Sequence, residues 1–234
     1  TCIDVFKTSL TRKAASAKAG AALAVCMLAL TTTACSNDER ESDALADAPS
    51  GSTDTNRDVP PEINEFLEGD EGRSVTYIRL HDGMHMGSAS EHEARPALSL
   101  IKLYIATYVM EKGEYEDKYE ALDMIASSSD KSAEDLFEKY PDSIDTIADE
   151  FNLESTKAGE KWGYSQTSTY DVASFISQLI ERDETHPILV AMAHADPISE
   201  DGYQQNYGTA KLSNVVGSKW GWSNDKSINS SVSF

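Results

Sequence analysis

The chain has 234 residues, enough for one domain with a real core and at most two. Forty acidic against twenty basic side chains give a formal charge of -20, which argues against nucleic acid as a partner, because phosphates would be repelled and no basic face offsets the excess. All three cysteines, Cys2, Cys26 and Cys35, precede the expected folded region, which therefore holds neither a disulfide nor a thiolate-bound metal.

Lys7, Arg12, Lys13 and Lys18 are followed by an apolar run over residues 19–30 and then by small residues, the layout of an export signal. The run is shorter than the roughly twenty apolar residues of a membrane-spanning helix, which favours a cleaved leader over a permanent anchor. Thr32-Thr33-Ala34-Cys35-Ser36 resembles the lipobox of bacterial lipoproteins, with Thr32 where a leucine-like residue is usual. The resemblance implies a leader of residues 1–34, a lipid on Cys35, and a protein held by that anchor on the extracytoplasmic face of the cell membrane. A plain secretory signal cut nearby is the alternative, and either one exports the domain. Thr1 in place of Met points to an incomplete start. Residues 35–70 are rich in Ser, Asp, Glu, Thr and Pro and read as a disordered acidic tether, with a short helix around 63–67. The folded domain is expected over 71–234.

Residues 74–80 alternate and are rich in β-branched side chains, so they read as a strand; His81-Asp82-Gly83 is a turn, and a second strand completes a hairpin. Residues 98–110 are nearly all apolar, over a length that suits a helix buried on most sides. Pro96 suits the start of that helix and Gly113 its stop. Further helices are expected over 116–125, over 132–140, and from Pro141 through Ile144, Ile147 and Ala148 to Phe151. Residues 169–180 carry apolar side chains at helical spacing after a Thr/Ser cap. Residues 188–193 fit a helix or a short strand, 202–208 a loop, and 215–222 a strand that ends in a turn at Ser223-Asn224-Asp225. Strand, helices, strand is an α+β order.

Within the apolar helix, Ser99 and Lys102 stand three residues apart. On one helix face an unprotonated Lys102 could take the proton of Ser99 during acyl transfer. Taken alone, such a spacing is more often a surface serine and lysine. Two later features accompany it: Ser129-Asp130-Lys131 in a loop before a helix, and Lys219-Trp220-Gly221-Trp222 on a late strand. The ordered set resembles the Ser-x-x-Lys, Ser-Asp-Asn and Lys-Thr-Gly motifs of the serine β-lactamase and penicillin-binding protein superfamily. It is most similar to the class A β-lactamase-like serine hydrolases exported as lipoproteins by actinobacteria. The run from Pro96 to Lys102 and that from Trp162 to Phe175 also look like the corresponding stretches of those proteins.

The resemblance spans roughly residues 74–234. It implies a β-lactamase/transpeptidase-like antiparallel sheet flanked by a mainly helical region. It implies Ser99 as the acylated nucleophile, Lys102 as the neighbouring amine, and Ser129 as the proton relay to the leaving nitrogen. Substrate would be held by Lys131, by Lys219 through a carboxylate, by Gly221 through a close backbone approach, and by Trp222. The Trp222 N–H would join that of Ser99 in an oxyanion hole. The implied partner is a β-lactam or a peptidoglycan-type peptide, bound by a monomer without a cofactor.

Several departures bear on activity. Lys131 stands where the family has asparagine, so it can donate but not accept, and it adds charge beside Lys102. Trp220 puts a bulky ring after Lys219 and is expected to narrow the pocket. No Glu-x-x-Leu-Asn run precedes the Thr/Ser cap; Glu154 and Glu160 are the nearest carboxylates, and without that base an acyl-enzyme would persist. The family fold continues past its Lys-x-Gly strand, whereas this chain ends at Phe234, which implies truncation. These departures keep a second reading open, a catalytically degenerate relative acting as a cell-surface binding or structural module. No metal site is expected: His81 and His85 flank a turn, not the helix that a zinc motif needs, and His92, His186 and His194 have no matching carboxylate. Trp162, Tyr164, Trp220 and Trp222 suit sugar or peptide binding and core packing alike.

Overall fold

A computed structural model describes residues 72–234 together with the backbone of Ile3–Phe6, strand β1. The rest of the expected leader, the lipidation site Cys35, the tether and the short helix at 63–67 lie outside the described residues. The expected hairpin forms from β2 (Ser74–Arg79) and β3 (Met84–Gly87), with Thr76 opposite Gly87 and Arg79 opposite Met84. At the other edge of β2, β1 pairs in parallel, Ile3 opposite Ser74, a pairing that the sequence pattern does not reveal.

Pro96 does not open a helix. Arg95–Pro96 is a two-residue strand, β4, paired with β5 (Gln166–Thr167), where a missing N–H is tolerated. The chain then makes a 3-10 turn, Leu98–Ile101, and only at Lys102 does the α-helix α1 (Lys102–Lys112) begin. Ser99 and Lys102 are thus one 3-10 turn apart, the spacing at which side chains eclipse.

The lack of a polar face on α1 is explained by its neighbours: Leu103, Tyr104, Ile105, Ala106, Thr107 and Val109 are all fully buried. Around it pack α2 (Tyr115–Ser127), α3 (Asp130–Lys139) and α4 (Ser143–Phe151). α4 buries Ile144, Ile147, Ala148 and Phe151, one stripe at helical spacing. α5 (Thr169–Arg182) covers β2; its N-cap Ser168 accepts a hydrogen bond from Asp171 N at 3.1 Å. Phe175 of α5 meets Tyr104 edge-on at 5.0 Å and Phe151 at 4.9 Å between ring centres, which ties α1, α4 and α5 together. Beside these rings runs a chain of buried hydroxyls, Tyr104 to Thr167 (3.0 Å), Thr167 to Thr156 (2.8 Å) and Thr156 to the Asp171 carboxylate (2.7 Å). The ambiguous stretch at 188–193 is helical: α6 (Pro187–Ala193) has its proline in the first turn and buries Ile188, Leu189 and Met192 against α1 and α2.

The late strand, β6 (Ser218–Trp222), starts three residues later than the pattern suggests, and it pairs antiparallel with β7 (Asn229–Ser233), which neighbours β1. No strand is expected over β7, Asn-Ser-Ser-Val-Ser, whose residues are polar but for Val232. In the structure its serines are buried and satisfied: Ser231 Oγ accepts from Thr209 N at 2.9 Å, and Ser233 Oγ lies 2.7 Å from both Thr209 Oγ1 and Ser218 Oγ. The architecture is α+β, small sheets beside a helical layer built round α1. Among the described residues no helix is long and apolar enough to cross a membrane.

Candidate active site

Five described non-glycine residues have positive φ. Asn152 and Asn214 tolerate that region; Leu98 (φ 54°), Ser128 (φ 61°) and Lys226 (φ 61°) do so only at a cost, and all three border one cleft or its rim. The cleft, about 360 Å³, is lined by Leu98, Ser99, Asp130, Trp162, Asp201 and Trp222 among others. Ser99 is 8% exposed at its floor, and its hydroxyl makes no hydrogen bond to any described residue.

Behind the cleft two lysines are fully buried. Lys102 Nζ donates to Ser128 O at 2.7 Å and to Asp130 Oδ1 at 2.6 Å, and it lies 4.7 Å from the centre of the Trp162 ring. Lys219 Nζ donates to Ser128 Oγ at 2.7 Å. Ser128 therefore bridges both amines, its carbonyl to one and its hydroxyl to the other.

This register differs by one residue from the expected one. α2 ends at Ser128, whose left-handed backbone turns the chain. Ser129 is consumed as the N-cap of α3, its Oγ accepting from Ser132 N at 3.2 Å. Lys131 points into solvent, 78% exposed and paired with Asp135, so it lies outside the cleft lining. The stretch that faces the two buried amines is Ser128-Ser129-Asp130, with Ser128 and Asp130 hydrogen-bonded to them. The place expected for an amide is taken by the carboxylate of Asp130. Three consecutive serines, 127–129, hid the register; the need for an N-cap before α3 was the signal that could have exposed it.

Gly221 is required by β6 itself. A Cβ there would stand 2.8 Å from Leu98 Cβ and from Ser99 N, and 2.7 Å from Ser230 Oγ, so only glycine lets the strand lie against the turn that carries Ser99. Gly217 and Phe234 exchange both ladder bonds, and Ser223 N donates to Ile228 O at 2.9 Å. Antiparallel alternation then turns the N–H of Lys219 and Gly221 towards β7 and that of Trp222 towards the free edge. Trp220 does not narrow the cleft: its ring is buried, with Nε1 donating to Tyr207 O at 3.0 Å, while Trp222 lines the opening. Glu154 and Glu160 are exposed and stand outside the lining. Trp162, named at the sequence level for its place in the Trp162–Phe175 run and in the aromatic set, lies beneath the Lys102 amine, and Asp201, on the rim, is a contributor that the motifs did not single out.

Burial pushes the Lys102 amine below the ordinary lysine range, while the Asp130 carboxylate pulls it back. Burial pushes Lys219 well below that range, and the charge of Lys102 adds to the effect. Lys219 hydrogen-bonds a hydroxyl and no carboxylate, so of the two it is the amine that releases its proton first. No group of three or more His, Cys, Asp and Glu side chains that could hold a metal occurs among the described residues. His85 instead lies 2.8 Å from Glu91 on the hairpin.

No protein-family model and no curated protein matches the sequence. Among solved structures the chain is similar to penicillin-binding protein D2 from Listeria monocytogenes in a cefotaxime-bound form, with 17% identity and a TM-score of 0.48 over 62% of this chain and 76% of that one. It is also similar to a D-alanyl-D-alanine carboxypeptidase from Mycobacterium tuberculosis, with 14% identity and a TM-score of 0.44 over 59% of this chain and 68% of that one.

Proposed function

We propose that the chain is an exported serine acyltransferase or hydrolase whose Ser99 is acylated by a β-lactam or a peptidoglycan-type peptide amide. The observation that carries this reading is the bridging of two buried lysines by Ser128, directly behind a serine that opens on a cleft. Ser99 Oγ attacks the carbonyl carbon and its proton passes to Lys102. The C–N bond breaks as Ser128 Oγ gives its proton to the leaving nitrogen, and the proton on Lys102 then restores Ser128. The N–H groups of Ser99 and Trp222 supply the donors for the oxyanion. With no carboxylate in the position of a deacylating base, the acyl-enzyme is long-lived. Labelling with a fluorescent penicillin tests the reading: covalent label on the wild type and none on Ser99→Ala supports it, and equal labelling of both contradicts it.

Asp130 favours a second reading, a degenerate relative that binds without reacting, because its carboxylate works against the burial that lowers the Lys102 pKa and so favours the charged amine. The neutral fraction of Lys102 grows as pH rises through its lowered pKa, so acylation should rise with pH. Asp130→Asn removes the charge that raises this pKa, and the rise in the acylation profile is expected to move to lower pH, with faster labelling at neutrality. A pH–rate profile of both proteins decides the matter. If neither labels at any pH, the non-catalytic reading stands.

The proposal includes a lipid anchor at Cys35, supported by the leader-like pattern before it, and cutting there would remove β1 from its pairing with β2. Cys35→Ser is expected to move the expressed protein from the membrane fraction to the soluble exported fraction. Retention in the membrane fraction would remove the anchor from the account.

A further inference from the structure

On the rim of the cleft, a second group of side chains is assembled around a single ammonium. Lys226, on the β6–β7 turn, places Nζ 4.3 Å from the ring centre of Tyr203, 5.3 Å from that of Trp222 and 3.7 Å from Asp201 Oδ2. The two rings lean on each other, 4.7 Å apart at 38°. Asp201 is fixed on both oxygens: Trp222 Nε1 donates to Oδ2 at 3.0 Å, and Ser199 Oγ and Tyr203 N donate to Oδ1. Partial burial works against its charge, but the hydrogen bonds from Ser199 and Trp222 outweigh it and hold the carboxyl below the usual range. Two aromatic faces and an anion around one cation is the composition of an ammonium receptor.

Trp222 and Asp201 also line the cleft that opens on Ser99, whereas Lys226 reaches them from an exposed turn and remains 40% exposed. The surroundings are anionic: Asp130 and Glu134 line the same cleft, with Lys161 as the lining cation among the described residues. A lysine on such a turn can leave the rings for water at little electrostatic cost.

We infer that the Tyr203, Trp222 and Asp201 corner is an ammonium-binding subsite of the cleft, filled here by Lys226 and taken by an alkylammonium group on the ligand when Lys226 swings out. Calling that ligand a substrate rests on the acylation reading above; the binding does not. The cleft then selects acyl donors with a cationic side group over those that bear a second carboxylate.

Calorimetric titration of the full chain with choline, and with its neutral isostere 3,3-dimethylbutan-1-ol, tests the subsite. Lys226→Met and Lys226→Gln, each with an unchanged near-ultraviolet circular dichroism spectrum, are expected to bind choline at least tenfold tighter than the wild type. The neutral isostere should not bind, and adding Tyr203→Leu to Lys226→Met should abolish choline binding. Choline affinity unchanged in both Lys226 variants, or equal to that of the isostere, would overturn the inference. Penicillin labelling of the same proteins reports on Ser99 separately. A protein that labels but ignores choline loses the subsite alone, and one that binds choline tenfold tighter without labelling keeps the subsite and loses the acylation reading.

Discussion

Ser128→Gly is expected to lower the rate of Ser99 acylation by about 100-fold or more, the scale of a lost proton-transfer group, while Ser129→Ala leaves that rate unchanged. Glycine is the informative replacement at position 128. The backbone there is left-handed, and glycine relieves a cost of about 1 kcal/mol instead of adding to it, so lost acylation cannot be ascribed to lost folding. Removing the hydroxyl leaves Lys219 Nζ without its acceptor and the leaving nitrogen without its donor. Ser129→Ala has the opposite profile: it deletes the N-cap of α3 and should cost about 1 kcal/mol of stability. Acylation rates and urea unfolding of the two variants separate the assignments. An acylation defect in Ser129→Ala alone would restore the register expected from the sequence.

Lys219→Met should trade function for stability. The methionine occupies nearly the same volume without the cost of burying an amine next to Lys102. Hydrophobic replacement of buried charged groups stabilises by roughly 1–4 kcal/mol, less about 1 kcal/mol for the hydrogen bond that Ser128 loses. Acylation should fall to background, because the Ser128 hydroxyl loses the group that orients it. The pH dependence gives the sign. The folded-state pKa of Lys219 lies below the unfolded value, so between the two the unfolded chain binds a proton that the native chain does not. Wild-type stability therefore rises with pH through that window and is complete only above the unfolded lysine pKa. Lys102 contributes a slope of the same sign and remains in the variant, so Lys219→Met should show a shallower rise between neutral and alkaline pH, not a flat line. A variant less stable than the wild type at neutral pH would mean that Lys219 is a favourable structural cation, and the lowered pKa would have to be abandoned.

The helical layer was legible because its signals are local. A run without a polar face became the central helix, and stripes at helical spacing became α4 and α5. The nearness of Ser99 to Lys102 and of Lys219 to Gly221 was legible for a related reason, since each pair is fixed by a short spacing along the chain. What the sequence concealed depends on contacts between distant residues. The serines of β7 are buried because Thr209 and Ser218 satisfy them, a condition invisible in a stretch polar at four of its five positions. The hydrogen bonds that distinguish Ser128 from Ser129 come from Lys219, 91 residues away, and from the need of α3 for a cap. Trp220 and Trp222 stand two apart on β6 and so share a face of the strand, and only the hydrogen bond from Trp220 Nε1 to Tyr207 O says which ring is covered.

The strain at Leu98 and Ser128 fits the same division. Neither residue type favours positive φ, and both are held there by the elements they join, the 3-10 turn against Gly221 and the end of α2 against the start of α3. The strained positions are Ser128 itself and the residue before Ser99.

The central claim is that Ser99 forms a covalent acyl-enzyme. Intact-mass measurement of the full chain after incubation with benzylpenicillin, followed by peptide mapping, tests it most directly. The account predicts one adduct with the full mass of the penicillin, carried by the peptide that contains Ser99, persisting after free drug is removed and absent from Ser99→Ala. An unmodified mass at every pH for both the wild type and Asp130→Asn, or an adduct mapped to another residue, would contradict it.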